Sequence, residues 1–356
     1  MRTGALILAG LGIYLAFYFV VGKWLERRVV GADPERATPA RRLRDGVDFV
    51  PTSRYVLFGH HFASIAGAAP IIGPVIALVW GWLPGLLWVW FGNIFVGAIH
   101  DYLSLMASVR HDGHSVQWIA ARIIRPRTGY AFALFVMFAL VLIVAAFASV
   151  IGRTFVDRPG VATASGLMVV AALVLGRLMY RTRLPFWLST AFGLLMLAAC
   201  IVAGLYVPLR LPYGAWMAIF FGYIVVAASI PVSVLLQPRD YMNAWLLAVG
   251  LLVGGAALVV AWQPLALPAT TGFSVPLGMG GGVVVGAVPF WPVIPLIIAC
   301  GSLSGFHALV GSGTTSKQLD TEPAGLFVGY GAMFTEGFLS TVVIAAVAGF
   351  AAVSSE

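Results

Sequence analysis

The stretch Phe58-Gly59-His60-His61-Phe62-Ala63-Ser64-Ile65-Ala66-Gly67-Ala68-Ala69-Pro70-Ile71-Ile72-Gly73-Pro74 opens a run of apolar residues long enough to cross a bilayer. Yet it holds two adjacent imidazoles, three glycines and two prolines. Pro70 and Pro74 each remove an intrahelical donor, and Gly67 and Gly73 weaken the turns around them. Backbone groups freed at membrane depth need partners, so such a segment is tolerated only inside protein or beside a wet cavity. A broken helix bearing histidines is thus a candidate binding element. The alternative is a Pro-kinked packing helix with two satisfied histidines.

Working outward, the composition sets the class. The chain has 356 residues, 61% hydrophobic and only 10% charged, with a mean hydropathy of +0.98. This is the composition of an integral membrane protein. Cys200 and Cys300 both lie in apolar runs, so no disulfide framework is expected, and neither has a metal-ligand partner nearby in sequence. The run Gly4 to Gly22 is long enough to span and lacks a small-residue cleavage pattern. It reads as a retained signal-anchor (residues 1–22).

Ten spans are expected, at 4–22, 55–80, 83–110, 129–151, 161–180, 186–206, 214–236, 243–262, 289–315 and 326–350. Seventeen of the 21 lysines and arginines then fall on one side. They include eight between Lys23 and Arg54, and Arg177, Arg181 and Arg183 further on. By the positive-inside rule residues 23–54 form a cytoplasmic basic connector, residues 55–350 the membrane core, and both termini lie outside. The net charge of +8 follows from this topology and does not imply nucleic acid. Residues 263–288, with Gly278, Gly280, Gly281, Gly282 and Gly286, read as an outer loop or re-entrant lid. No Lys-Ser/Thr follows, so no phosphate loop is indicated.

The seventh span echoes the second. Phe221-Gly222-Tyr223 begins it, Ala228-Ser229-Ile230-Pro231 interrupts it, and Gln237-Pro238-Arg239-Asp240 closes it. Broken helices in corresponding positions of inverted halves point to a transporter site. Ser229 and Pro231 accordingly join His60, His61, Ser64, Gly67, Pro70 and Gly73 as candidates to line a substrate path.

Ionisable groups at membrane depth are functional hypotheses by default. The third span holds Asn93, His100 and Asp101, with Asn93 and His100 seven apart and so on one helix face. The ninth holds His307 and the tenth Glu336. His61, Asp101, His307 and Glu336 each lie about 10–15 Å from the cytoplasmic end of their span at 1.5 Å per residue. One shared level of titratable groups suits an ion-coupled or proton-relay site; separate helix ends wetted from the cytoplasm are the alternative. Ser312, Thr314, Thr315 and Ser316 offer hard oxygen ligands for Na⁺, or capping hydroxyls that end the ninth span. The adjacent histidines lack an HExxH pattern, so no catalytic metal is expected, although a bis-histidine haem stays open.

The blocks FGHHFASIAGAAPIIGP (58–74), GAIHDYLSLMASVRHDG (97–113), SGFHALVGSGTTSKQL (304–319) and GYGAM (329–333) resemble the carbon starvation protein A family. The resemblance implies an inner-membrane secondary transporter for peptides or, in some members, for pyruvate with proton symport. It also implies the fold of the amino acid–polyamine–organocation superfamily, a LeuT-like five-plus-five inverted repeat with two broken helices, here the second and seventh spans. A repeat starting at the second span needs eleven spans where ten are counted. A shorter form, a longer parent chain or a homo-oligomeric partner would each account for the difference. The expectation is an all-α, alternating-access transporter without cofactor or enzymatic activity. Asp101, aided by His100, would be the proton carrier, with Glu336 next. The rivals are a channel-like or regulatory subunit and a haem- or metal-bearing redox protein.

Overall fold

The computed structural model describes residues 1–182, 184–279 and 283–351. Arg183, Gly280, Gly281 and Gly282, used in the reading above, lie outside the described residues.

Helix α1 (Thr3–Phe17) continues through two π-helical segments, so the first rod runs 28 residues to Val30. It passes the expected end at Gly22 by two turns and stops at Gly31, whose φ of 57° suits a residue without Cβ. The connector contains only the short α2 (Pro39–Arg42). Next come α3 (Arg54–Ile65) and α4 (Ala69–Ala77), the two halves of one span bent by 46°. Then α5 (Trp82–Gly92) and α6 (Ala98–Arg110) form a single 29-residue rod around a π-turn at Asn93–Gly97. A surface helix α7 (Val116–Ile123) starts where the Ser115 hydroxyl accepts from the Trp118 N–H. The rods α8 (Pro126–Asp157), α9 (Pro159–Arg181) and α10 (Phe186–Tyr206) follow, the first two opened by proline, whose missing donor costs nothing there.

The second half departs from expectation. Helix α11 (Tyr213–Ser229) has 17 residues and ends at the supposed break. Ile230 is extended (φ −104°, ψ 151°), as a residue before proline tends to be. Helix α12 (Leu236–Ala261) then begins anew and includes Gln237, Pro238, Arg239 and Asp240. Ser229-Ile230-Pro231 therefore terminates a helix and does not interrupt one. The fold is also not purely helical. Strands β1 (Ser274–Met279) and β2 (Val283–Pro289) pair antiparallel where a loop or lid was expected. This hairpin docks through Trp80, whose indole N–H donates to the Val288 carbonyl at 3.2 Å. The ninth apolar segment is split into α13 (Phe290–Ile297), α14 (Ala299–Leu303) and α15 (Gly305–Gly313). A π-turn at Leu326–Tyr330 leads into α16 (Gly331–Phe350).

Among the described residues, seven rods are long and apolar enough to cross a membrane, and the bent α3–α4 pair adds an eighth; α11 and the split ninth segment fall short by length. The core is built on α16: in the most apolar part of its rod 61% of residues are buried, against 6% for α8. The outward apolar faces, such as Phe135, Leu142 and Val260, are what lipid requires of a multi-pass membrane protein.

The break in the second span has a local explanation. Ala66 (φ −79°, ψ 65°) centres an inverse γ-turn, in which the Gly67 N–H bonds the Ile65 carbonyl at 2.9 Å. Pro70 sits in the first turn of α4, where a helix needs no donor. Pro74 cannot reach back to the Pro70 carbonyl, and the Ser340 hydroxyl of α16 donates to it instead, at 2.9 Å. Gly73 allows the Ile297 carbonyl to approach where a Cβ would stand.

Ion pairs strap the connector to one end of the bundle. Glu322, 1% exposed, accepts from Arg110 at 2.8 and 2.9 Å, from Arg36 at 3.5 Å and from the Asp33 N–H at 3.0 Å. Arg41 pairs with Asp320 at 2.7 Å and holds its carboxyl below the usual carboxylate range. Arg42 meets Asp112, and Lys317 meets Asp48 at 3.3 Å. At the other end, the Thr3 N–H donates to the Gln263 carbonyl and the Ala266 N–H to the Ala348 carbonyl. The N-terminus, the end of α12 and the end of α16 thus share a side opposite the basic connector.

Candidate functional site

Consecutive residues of a helix point about 100° apart, so His60 and His61 face different neighbours of α3. His60 turns to α12, with Nδ1 2.8 Å from Asp240 Oδ2. His61 turns to α6, with Nε2 2.9 Å from Asp101 Oδ2. The end of α15 completes both contacts: Thr314 Oγ1 lies 3.3 Å from His60 Nε2, and Thr315 Oγ1 lies 2.9 Å from His61 Nδ1. All four charged-type side chains are buried.

The two pairs differ in their counter-ions. Asp240 Oδ1 accepts from Arg239 at 2.7 and 2.9 Å, and Arg239 in turn donates to Tyr223 Oη at 2.7 Å. Ser64, whose hydroxyl donates to the His60 carbonyl at 2.7 Å, stands 3.4 Å from Asp240 Oδ2. A permanent cation therefore balances Asp240. Asp101 is fully buried with Oδ1 unpartnered, and among the described residues His61 supplies its only ion pair. Its charge is balanced only when the imidazole is protonated. The surroundings accommodate both states. As imidazolium, His61 donates from Nε2 to Asp101 and from Nδ1 to Thr315, whose hydroxyl turns to the Val310 carbonyl at 3.4 Å. As neutral imidazole with the proton on Nε2, it accepts from Thr315.

The second titratable pair, His307 on α15 and Glu336 on α16, is also fully buried, with His307 Nε2 3.5 Å from Glu336 Oε2. Gly311, one turn beyond His307, faces Asp101: a Cβ there would lie 3.5 Å from its Oδ1. The four groups expected at one depth thus form two neighbouring pairs along α15.

The other expected residues are placed as follows. His100 is exposed while Asn93 is buried, so the two do not share a face. The π-turn at Asn93–Gly97 winds fewer degrees per residue and shifts the register between them. Asn93 donates to the Gly301 carbonyl at 3.2 Å and the Met333 carbonyl at 2.8 Å, joining the split segment to α16. His100 faces away from Asp101. Ser229 is exposed, with its hydroxyl on the Val225 carbonyl at 2.7 Å, and neither it nor Pro231 joins His60 and His61. Gly67 lies in the break, Pro70 in the first turn of α4, and Gly73 lines an apolar cleft of about 260 Å³ between α4, α8 and α13. The Ser312–Ser316 tract does not converge on one point. Thr314 and Thr315 serve the histidines, Ser316 lies 2.9 Å from Ser108, and Ser312 accepts from the Val116 N–H at 3.3 Å.

Two features escaped the sequence reading. Asp240 reads from sequence as the close of the seventh span, yet it is the sole acidic residue between Asp157 and Asp320, a signal that marks it. Cys300, expected to have no ligand partner, has His307 and Glu336 beside it, with the three groups' donor atoms all within 4.8 Å of one another.

The family model for the carbon starvation protein CstA matches residues 3–354. The chain is 36% identical to the Escherichia coli (strain K12) peptide transporter CstA, over 95% of this chain and 49% of that protein. It is likewise 36% identical to the pyruvate/proton symporter BtsT of the same organism, over 96% and 48%. Identity to the Bacillus subtilis (strain 168) peptide transporter CstA is 34%, over 97% and 58%. The chain thus spans about half the length of the curated relatives it matches. No solved structure matches. The chain belongs to the carbon starvation protein CstA family.

Proposed function

We propose that the protein is a proton-coupled secondary transporter of the inner membrane that takes up pyruvate or short peptides by alternating access. The observation that carries this reading is the His61–Asp101 pair, buried on both sides, without a permanent cation among the described residues, and with His61 on the bent span. Loading one proton there removes a net negative charge from a low-dielectric site, which is what a carrier must do to move with and without its ion. The bend supplies the mobile element: α3 holds both histidines, and α4 is hinged from it at the Ala66 γ-turn. The names of two relatives, a peptide transporter and a pyruvate/proton symporter, support the solute class. Sodium is the less favoured ion, since the hydroxyls of the Ser312–Ser316 tract already have protein partners.

The topology that fits is ten crossings with residues 23–54 in the cytoplasm and both termini outside. The shared faces of the connector strap and of the termini support it, as does the positive-inside count. A five-plus-five repeat would have its first broken helix at α3–α4, while the counterpart expected at Ser229-Ile230-Pro231 is a helix end. Uptake of labelled pyruvate and of short peptides into proteoliposomes under imposed pH and Na⁺ gradients tests the function. Flux without pH-driven accumulation would favour a channel-like role.

A further inference from the structure

We propose that Cys300, His307 and Glu336 form a binding site for a zinc-class transition-metal ion, at the junction of the split segment with α16. Their ligand atoms lie within 4.8 Å of one another. His307 Nε2 stands 3.5 Å from Glu336 Oε2, too far for a good hydrogen bond. It is the right separation for two ligands of one ion: bonds of about 2.0–2.2 Å in tetrahedral geometry place donors roughly 3.3–3.6 Å apart.

A second observation points inward to a missing partner. Among the described residues, His307 Nε2 and both Glu336 oxygens have no hydrogen-bond partner, although His307 is 1% and Glu336 0% exposed. Buried polar atoms normally find partners, and leaving a carboxylate without one is costly. The tautomer is also set. His307 Nδ1 lies 3.0 Å from the Met333 sulfur, an acceptor that fixes the proton on Nδ1 and leaves the Nε2 lone pair facing the carboxylate. Two electron-rich groups facing each other need a proton or a metal ion between them, and the adjacent thiol favours the metal. The Met333 sulfur is a weak acceptor, but it orients the imidazole from its outer nitrogen, as the partners of metal-bound histidines do.

The donor set selects the ion. A thiol sulfur, an imidazole nitrogen and a carboxylate oxygen suit zinc and its neighbours, whereas Mg²⁺ and Ca²⁺ take oxygen shells. On binding, the Cys300 S–H bond breaks, its proton leaves to water, and the thiolate, carboxylate and divalent ion together are neutral. Three protein ligands leave one position for water. Cys300 is only partly buried. The site would tie α14 and α15, on either side of the extended Ser304, to the central helix.

The test uses the purified full chain, stripped with chelator and given Zn²⁺, Co²⁺ or Mg²⁺ alone. The expected result is one tightly held Zn²⁺ per chain by elemental analysis, no retained Mg²⁺, and with Co²⁺ a near-ultraviolet thiolate charge-transfer band with intense tetrahedral visible bands. Cys300→Ser removes the charge-transfer band and Glu336→Gln lowers Zn²⁺ retention at least about tenfold. Cys200→Ser and the double change His111→Ala, His114→Ala leave both signals intact. A Zn²⁺ stoichiometry unaffected by Glu336→Gln, or a Co²⁺ spectrum without the thiolate band, overturns the proposal. Should Cys300→Ser fail to fold, alkylation of Cys300 in the Cys200→Ser chain decides. Zn²⁺ slows it at least about tenfold if the thiol is a ligand; an unchanged rate refutes the site.

Discussion

Replacing Asp101 by Asn tests the coupling proposal because the two residues share a shape and differ in the capacity to titrate. The asparagine Oδ1 can take the place of Asp101 Oδ2 and keep the 2.9 Å bond from His61 Nε2. Its NH₂ then falls where Asp101 Oδ1 already lacks a partner. The cost is one weakened charge-assisted bond and one unsatisfied donor, about 1–3 kcal/mol. That is a loss a chain of this size can tolerate. His61→Ala is different: it leaves the carboxylate without its counter-ion, a change worth about 3–5 kcal/mol in buried pairs.

Asp101→Asn should therefore fold and insert while losing its coupling. A one-unit pH gradient corresponds to about 1.4 kcal/mol per proton, which sustains about a tenfold accumulation for one proton per solute. In proteoliposomes loaded with buffer one pH unit more alkaline inside, the unaltered protein should approach that ratio for its solute. Asp101→Asn should stay at an internal-to-external ratio of about one while still exchanging labelled for unlabelled solute at equal concentrations. If Asp101→Asn accumulates solute tenfold, the His61–Asp101 pair is not the coupling site, however well it is buried.

The break makes its own predictions. Ser340→Ala leaves the Pro70 carbonyl without the hydroxyl that replaces the missing Pro74 donor, and thermal unfolding in detergent should show a loss of about 1–3 kcal/mol. Pro70→Ala, in the first turn of α4, should change stability by less than about 1 kcal/mol and leave uptake intact. Gly73→Ala pushes a methyl group against the Ile297 carbonyl and should lose about 1–3 kcal/mol by overpacking. At the strap, Glu322→Ala removes the common partner of Arg110 and Arg36. Because Arg110 is about a third exposed, the loss should be roughly 2–3 kcal/mol, below that of a fully buried pair. A cysteine at the exposed Ala37, in a chain lacking Cys200 and Cys300, should react with an impermeant reagent only after cell lysis. Labelling of intact cells would invert the proposed orientation.

Depth was legible in the sequence, and direction around the helix was not. Counting 1.5 Å per residue from the basic ends places His61, Asp101, His307 and Glu336 at one level, and the structure finds them in two contacting pairs. Which residue partners which depends on azimuth, and azimuth is sensitive to local winding. The single π-turn at Asn93–Gly97 suffices to send His100 outward while Asn93 stays inside. The α3–α4 break could be read from Gly67, Pro70 and Gly73, but its cause is a γ-turn at Ala66, a residue with no marked preference for one. At Ser229-Ile230-Pro231 the same kind of letters end a helix, because the following Gln237–Asp240 segment starts a new one and donates Asp240 to His60. Proline and glycine thus mark where a helix must stop or bend. Choosing between the two depends on whether another element supplies partners for the freed backbone, as Ser340 does for Pro70. That supply is tertiary, and it comes from a residue 270 positions away in the chain.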